Sequence, residues 1–186
     1  MNLNEKQLEK EYIFKGKVIN LRRDLALLPN GNKAYREVIE HNGGVCVAAI
    51  DEEGYVYTVK QFRYPYSEVI TEIPAGKRDS RDEDPLECGK RELREETGLT
   101  ADNYYFLGKL YPTPGYCGEI IWMYAATSLH QGENDLDSDE FLNVEKIKLD
   151  KLVSMILSGE ITDAKTQAAV LKLKILTDCK EIDLHL

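Results

Sequence analysis

The sequence predicts an α/β fold of the α+β type, in which a mixed sheet is packed between helices as an α/β/α sandwich, with a small antiparallel β unit at the N-terminus. Two observations predict it. Short strand-like segments recur along most of the chain, and only three segments have helical character, one in the middle and two at the end. With so few helices between the strands, a doubly wound parallel sheet is not expected.

The N-terminal β unit is expected over residues 1–42. Residues 1–10 are polar and are expected to be frayed or loosely helical, whereas residues 12–40 have a strand-like pattern. Pro29-Asn30-Gly31-Asn32 is typical of a hairpin turn, and Gly31 suits a positive φ. A unit this thin is not expected to be stable alone, so it should lie against the main body or against another copy of the chain.

The second domain is expected over residues 43–186. Its best-defined helix has Asp84 as N-cap, Pro85 at its first position and Gly98 just past its end. Strands are expected at residues 45–50, 55–62, 69–73, 104–110, 120–127 and 141–149, and the two closing helices at residues 151–158 and 163–177.

The acidic composition argues against a nucleic-acid partner. The 186 residues include 24 Lys and Arg against 33 Asp and Glu, a net charge of −9, whereas nucleic-acid affinity comes largely from basic side chains on phosphates. No apolar run approaches the ~18 residues of a membrane span, and the polar N-terminus lacks a signal core. We therefore expect a cytoplasmic protein with no membrane partner.

The four cysteines are widely spaced and form no Cys-x-x-Cys pair. Inert thiols are therefore favoured over a zinc site or a disulfide framework. The cysteines are Cys46, Cys88, Cys117 and Cys179.

Three carboxylates on the middle helix indicate a cation site. Glu92, Glu95 and Glu96 fall within about 100° of arc on one helix face, while Leu93 points toward the core. Such carboxylates repel one another unless a cation compensates, and their oxygens are the hard ligands that Mg²⁺ and Mn²⁺ prefer. Because Mg²⁺ usually shares its shell with substrate phosphates, this face suits a phosphate ester or anhydride.

An exposed helix face with ordinary ion pairs is the alternative. Arg91 is four residues from both Glu87 and Glu95, a spacing at which charged side chains pair on many solvated helices. The three glutamates alone favour this simpler interpretation.

The residues on either side of the three glutamates favour a cation site over an ordinary exposed helix face. The stretch from Gly76 to Leu99 resembles the Nudix box, Gly-x5-Glu-x7-Arg-Glu-U-x-Glu-Glu-x-Gly-U, where U is a bulky aliphatic residue. Every element from Glu83 onward matches. One departure is plain: six residues rather than five separate Gly76 from Glu83, so a strict count puts Lys77 at the glycine position.

This resemblance implies a set of site residues. Glu92, Glu95 and Glu96, with the main-chain carbonyl of Ala75, would hold Mg²⁺, or Mn²⁺ in its place, and Glu95 would also count as catalytic. Glu83 and Arg91 would be structural, with Arg91 orienting the glutamates. Family members hydrolyse nucleoside diphosphates linked to a further moiety.

Outside the box, the chain is most similar to the ADP-ribose pyrophosphatase branch of the family, from about Tyr12 to the last helix. The order of several short phrases carries this likeness. They are Gly16-Lys17-Val18, Leu21-Arg22-Arg23-Asp24, Arg36-Glu37-Val38-Ile39-Glu40-His41, Lys60-Gln61-Phe62-Arg63-Tyr64-Pro65, Glu72-Ile73-Pro74-Ala75-Gly76-Lys77, Tyr111-Pro112-Thr113-Pro114-Gly115, Asp139-Glu140-Phe141, Leu157-Ser158-Gly159-Glu160-Ile161 and Asp163-Ala164-Lys165-Thr166.

The branch implies a homodimer whose N-terminal strands are exchanged and help to build the partner's site. Arg36 and Glu37 then contact the substrate of the other subunit, and Arg63 meets the diphosphate. For each, an ordinary exposed charge on a strand is the alternative. Tyr12 or Phe14 could stack on a base across the dimer, whereas a strand position suits core packing of Trp122 and Tyr124 better.

Hydrolysis also needs a group that takes a proton from the attacking water. The family places a glutamate in the acidic loop before the strand at residue 141; Glu140 matches it, with Asp137 and Asp139 as rivals. Two or three Mg²⁺ ions would bridge the diphosphate. ADP-ribose would give AMP and ribose 5-phosphate.

Other functions stay open from the sequence. Another nucleoside diphosphate sugar such as GDP-mannose, or a dinucleotide, would suit the same small-molecule site. A non-catalytic nucleotide-sugar sensor usually loses the metal-binding glutamates, which this chain keeps. An isomerase relative would need a nucleophilic cysteine near a glutamate, and Cys88 lies on the box helix.

Overall fold

A computed structural model describes residues 2–135 and 141–182. None of the helices within these ranges is long and apolar enough to cross a membrane. The described elements are β1 (Lys6–Lys15), β2 (Asn20–Leu27), β3 (Lys33–Glu40), β4 (Gly44–Ala49), β5 (Tyr55–Arg63), β6 (Glu68–Glu72), β7 (Ala75–Lys77), α1 (Pro85–Thr97), β8 (Leu99–Leu110), β9 (Ile121–Gln131), β10 (Leu142–Lys148), α2 (Leu149–Leu157) and α3 (Ala164–Asp178).

The chain divides into two compact units. The first consists of Met1–Gly43 with Tyr111–Ile120, and the second of Gly44–Leu110 with Ile121–Leu186. Strands β1, β2 and β3 form an antiparallel sheet in the first unit. The predicted turn between β2 and β3 is present, and Gly31 there has a φ of 85°.

The expectation for residues 1–10 is wrong, because β1 begins at Lys6. All ten residues of β1 are exposed, so the strand has no apolar alternation from which it could be recognised. Its pairing with β2 forms it instead: Glu11 lies opposite Arg23, and the two side chains form an ion pair of 2.7 Å. Cross-strand pairing of opposite charges stabilises a sheet where burial does not.

The second unit confirms the mixed sheet. Its four-stranded sheet has the order β7-β4-β9-β8, in which β4 and β9 are parallel and the other pairs antiparallel. A three-stranded antiparallel sheet, β10-β5-β6, completes it. The structure shows α+β architecture, as the sequence predicts.

Strand β4 is buried on both faces and separates two helical layers. Cys46, Ala48 and Ile50 pack in one cluster with residues of α2 and α3. Val45, Val47 and Ala49 point the other way and pack with Leu93 of α1. Because side chains of a strand alternate between faces, a continuously apolar strand requires a layer on each side.

Helix α1 has the ends that the sequence predicts. The Asp84 carboxylate accepts hydrogen bonds from the backbone N–H groups of Leu86 (2.9 Å) and Glu87 (3.1 Å). Gly98 follows the helix with a φ of 74°, and its N–H donates to the Arg94 carbonyl. These caps fix the register of the helix, and therefore which side chains face the sheet.

Two strand boundaries differ from the predicted ones by four or five residues. Strand β8 begins at Leu99 and β9 extends to Gln131, because the two strands pair from Leu99↔Gln131 onward, well beyond their apolar segments. The short strand β7 was not predicted. Its three residues carry no periodic pattern, and it forms by pairing with β4.

Leu93→Ala tests the packing of α1 on β4. Leu93 is fully buried, so the substitution is expected to lower the free energy of unfolding by about 2–5 kcal/mol. Leu157→Ala is the matched control: Leu157 is 77% exposed and its truncation is expected to cost under about 0.5 kcal/mol. Urea unfolding followed by circular dichroism measures both, and equal losses would contradict this packing.

Candidate metal and phosphate site

Two of the three predicted carboxylates of α1 contact the turn that enters β7. The Ala75 N–H donates to Oε2 of Glu96 at 3.0 Å. The Glu92 carboxylate lies against Gly76, where an added Cβ would be 1.9 Å from its carboxyl carbon. Glu92 and Glu96 are buried and Glu95 is half-buried. Glu92 and Glu96 therefore meet the backbone at Ala75 and Gly76 in the fold.

The glycine that this packing requires is Gly76 and not Lys77. The loop that follows accommodates the additional residue by folding around the buried side chain of Arg78. The Arg78 guanidinium donates to the carbonyls of Arg81 (2.5 Å) and Glu83 (2.9 Å through Nε). It also stacks on Trp122, 4.7 Å from the ring centroid. The insertion thus leaves Gly76 in contact with Glu92.

Arg91 forms ion pairs with three acidic side chains. Its Nη1 lies 2.8 Å from Oε1 of Glu92 and 3.0 Å from Oε2 of Glu95, and its Nη2 lies 3.4 Å from Oε1 of Glu83. Partial burial acts to lower the pKa of Arg91, but the neighbouring Glu92 and Glu95 carboxylates raise it overall. Glu87, the other partner that the helix spacing allows, pairs with Lys90 instead at 2.8 Å.

The donor chemistry of this face fits a hard divalent cation. Glu92, Glu95 and Glu96 offer carboxylate oxygens, and the backbone at Ala75 offers a carbonyl. No three Asp, Glu, His or Cys side chains of the described residues already form a metal cage. The hydrogen bonds explain this, since Arg91 holds Glu92 and Glu95 and the Ala75 N–H holds Glu96. Binding of a cation would reorient carboxylates that are already adjacent.

Arg63, predicted to meet the diphosphate, is clamped at the end of β5. Its Nε and Nη2 donate to the two oxygens of Glu72 at 2.5 and 2.6 Å. Glu72 is only 2% exposed; burial acts to raise its pKa, but the bonds from Arg63 and the charge of Lys165 lower it overall. The bond to Glu72 raises the pKa of Arg63, and the nearby charge of Glu96 adds to that effect. Arg63 is therefore held by Glu72, three residues before Ala75.

Arg36 and Glu37 lie in the first unit, on β3. Arg36 forms a two-bond ion pair with Glu5, at 2.9 and 2.6 Å, and this contact raises the pKa of Arg36. Glu37 lies opposite Arg23 in the register of β2 and β3. Because adjacent residues of a strand point to opposite faces, Arg36 and Glu37 point to opposite faces of β3.

Glu140, Asp137 and Asp139 lie outside the described residues.

The isomerase alternative needs a cysteine that is activated as a nucleophile, and neither Cys46 nor Cys88 is activated. Cys46 and Cys88 are both buried, and burial raises the pKa of each thiol to about 12. The Cys88 sulfur lies 3.6 Å from the Lys77 carbonyl and 3.4 Å from Nη2 of Arg91. A thiol with a raised pKa is a poor nucleophile near neutral pH.

Sequence reasoning missed the buried charges around Arg63. Glu72 at the end of β6 and Lys165 in the first turn of α3 form an ion pair, and Asp163 lies 3.0 Å from the same lysine. Both segments occur among the phrases shared with the pyrophosphatase branch. Charged residues at a strand end and at a helix start are ordinarily solvated, so no pattern in the sequence marks these as buried. Tyr124 is core, as predicted, whereas Trp122 is half-buried beneath Arg78.

Residues 40–170 match the family model described as "NUDIX domain". The chain belongs to the Nudix family. A crystal structure described as an "ADP compounds hydrolase" has the same fold, with a TM-score of 0.83 over 98% of this chain and 100% of that chain at 18% identity.

Two relatives extend over nearly the whole Nudix chain. An "ADP-ribose pyrophosphatase" of Bacillus subtilis (strain 168) is 40% identical over 176 residues, 94% of this chain and 95% of the relative. A "Methanol dehydrogenase activator" of Bacillus methanolicus is also 40% identical, over 92% of this chain and 93% of the relative. The similarity therefore includes the N-terminal β unit as well as the Nudix domain.

Gly76→Ala tests the contact between α1 and β7. The new methyl group would occupy the position of the Glu92 carboxylate, so we expect the affinity for Mn²⁺ to fall by about 10- to 100-fold. Gly115→Ala is the control, because nothing lies within 4 Å of a Cβ at Gly115. Mn²⁺ titration followed by electron paramagnetic resonance measures both. Unchanged Mn²⁺ affinity in Gly76→Ala would show that Glu92 is not a ligand.

Proposed function

We propose that this chain hydrolyses the pyrophosphate bond of ADP-ribose to AMP and ribose 5-phosphate, with Mg²⁺, or Mn²⁺ in its place. The observation that carries the proposal is the meeting of the acidic face of α1 with the backbone of Ala75 and Gly76, three residues after the Glu72 that holds Arg63. Carboxylates that can bind a metal ion, together with a guanidinium that can bind phosphate, suit a diphosphate substrate. Membership of the Nudix family and the similarity to an ADP-ribose pyrophosphatase support the reaction.

Glu92, Glu95, Glu96 and the Ala75 carbonyl would hold the divalent cation. When bound there, the cation would neutralise phosphoryl oxygens and lower the pKa of a bound water. Arg91 holds the carboxylates of Glu92 and Glu95 on the same side of α1. The hydrogen bond from the Ala75 N–H fixes the carboxylate of Glu96.

Arg63 would bind the diphosphate through the free edge of its guanidinium. Glu72 occupies Nε and Nη2, which leaves Nη1 for a phosphate oxygen. The side chain is 36% exposed, so an anion can reach it. A guanidinium held on one edge by a carboxylate is preorganised to bind a phosphate oxygen with the other.

Glu140 would take the proton of the attacking water, with Asp137 and Asp139 as rivals. The described residue before their segment supports this assignment: the Asp135 N–H donates to the Glu95 carbonyl at 3.0 Å. The acidic segment therefore starts beside the helix that carries the glutamates.

The active form is proposed to be a homodimer in which Arg36 and Glu37 serve the partner's site. Large apolar side chains are exposed in both units, which is typical of surfaces that associate. In the first unit Phe14 and Tyr35 are more than half exposed. In the second, Phe62 and Val69 are more than half exposed and lie opposite each other on β5 and β6.

A substrate panel tests the reaction. ADP-ribose, GDP-mannose, UDP-glucose, NADH and a diadenosine polyphosphate are incubated with Mg²⁺ and with Mn²⁺, and the products are separated by chromatography. We expect preferential conversion of ADP-ribose to AMP. Preference for GDP-mannose or a dinucleotide would contradict the substrate but not the site, and no turnover would favour a nucleotide-sugar sensor.

Carboxamide variants identify the residues responsible in the same assay. Glu95→Gln and Glu96→Gln are each expected to lower kcat by about 100-fold or more, since each removes a charged ligand. Glu87→Gln is the control, because Glu87 lies on the same helix but is exposed and pairs with Lys90. If both Glu95→Gln and Glu96→Gln keep the wild-type turnover, the proposed hydrolysis is contradicted.

Mixing two inactive variants tests the shared dimer site. Light scattering at micromolar concentration should give twice the chain mass of 21.2 kDa. Arg36→Ala and Glu95→Gln chains, unfolded and refolded together, should recover about a quarter of the wild-type activity, since each mixed dimer contains one intact site. A monomeric mass, or no recovery above the mean of the two variants, would contradict strand exchange.

A further inference from the structure

A compact group of buried charges lies behind Arg63. Lys165 contacts Oε2 of Glu72, the same oxygen that accepts a hydrogen bond from Nη2 of Arg63. Its ammonium also lies 3.0 Å from Oδ1 of Asp163. The side chains of Glu72 and Lys165 are 2% and 12% exposed. Two cations and two carboxylates thus form a cluster with no net charge, in which Glu72 and Lys165 are buried and Arg63 is partly exposed.

A separate set of hydrogen bonds fixes the backbone around this cluster. The Ile73 N–H donates to Oγ1 of Thr166 at 2.9 Å. That hydroxyl donates in turn to Oδ2 of Asp163 at 2.6 Å, and the same carboxylate oxygen accepts from the Thr166 N–H at 2.9 Å. The end of β6 is therefore joined to the start of α3 without help from Lys165.

The position of Lys165 suggests that it supplies a positive charge beside Glu72 and does not fix the backbone. Burial acts to lower the pKa of Lys165, but Asp163 and Glu72 raise it overall, so the side chain stays a cation. Without this second cation, Glu72 would neutralise Arg63 alone and draw its guanidinium inward. With it, the Glu72 charge is shared, and the outer edge of Arg63 keeps its attraction for an anion.

We propose that Lys165 is a positioning residue that keeps Arg63 available to bind the diphosphate of the substrate. It acts through Glu72 and does not itself contact the substrate. The inference rests on the proposed function, because it assumes that Arg63 meets a diphosphate. A purely structural lysine, which only neutralises buried carboxylates, would affect folding but not substrate binding.

Lys165→Met separates the two roles. Because Arg63 contributes binding in the ground state and the transition state alike, we expect KM for ADP-ribose to rise about tenfold with kcat changed by less than about twofold. The Mg²⁺ concentration for half-maximal activity should stay unchanged, since Thr166 still fixes the backbone beside Ala75. Lys174→Met is the control: Lys174 lies on the same helix and also pairs with two carboxylates, those of Asp178 (2.7 Å) and Asp150 (2.9 Å), but is more exposed.

A second substitution makes the test specific. If Lys165 acts by offsetting the Glu72 charge, Lys165→Met combined with Glu72→Gln should recover at least half of the lost affinity, expressed as log KM. Lys165→Arg should keep KM within about threefold. Additive losses in the double variant, or an unchanged KM in a folded Lys165→Met chain, would overturn the inference while leaving the hydrolysis intact.

Binding of inorganic pyrophosphate provides a measurement that does not depend on turnover. Calorimetry with Mg²⁺ and pyrophosphate should show about tenfold weaker binding to Lys165→Met than to the wild-type chain, with Lys174→Met unchanged. Thermal unfolding of each variant verifies that it is folded. Lys165→Gln, which removes the charge but keeps a hydrogen-bond donor beside Glu72 and Asp163, replaces Lys165→Met if that variant does not fold. A wild-type chain that cleaves no substrate but binds pyrophosphate in this pattern would contradict the proposed reaction and support the inference; no pyrophosphate binding would overturn both.

Discussion

The carboxylates of Glu92 and Glu96 reach the backbone of Ala75 and Gly76, and this close approach determines where the other groups of the site lie. It requires a residue without a side chain at position 76, because a Cβ there would overlap the Glu92 carboxylate. It also requires α1 to be fixed in register, which its capped ends and the buried Leu93 provide. The acidic face is thus set by apolar packing on the opposite side of the same helix.

Buried charge is the second constraint, and the fold meets it by pairing. Arg91 is shared between carboxylates of α1, and Glu72 is shared between Arg63 and Lys165. Removing one partner from such a group leaves an uncompensated charge in a poorly solvated position, which is costly. The same pairing holds each side chain in one orientation before a ligand arrives, so less ordering is needed on binding.

The sequence predicts those parts of the molecule in which local chemistry decides the structure. The caps of α1, the turn at Gly31 and the acidic helix face depend on residues close together in the chain. Strand β7 and the first half of β1 could not be predicted, because pairing with distant strands forms them and neither segment has an apolar alternation. The same reason hides Lys165, which is 93 residues from its partner Glu72.

Helix α1, the Ala75–Gly76 segment of β7 and Arg63 are proposed to bind a metal-complexed diphosphate together. A crystal structure with Mg²⁺ and the non-hydrolysable α,β-methylene analogue of ADP-ribose tests this most directly. We expect metal density between the α1 glutamates and the Ala75 carbonyl, and a phosphonate oxygen on Nη1 of Arg63 while Glu72 keeps Nε and Nη2. An analogue bound elsewhere, or an Arg63 directed away from it, would contradict this assignment.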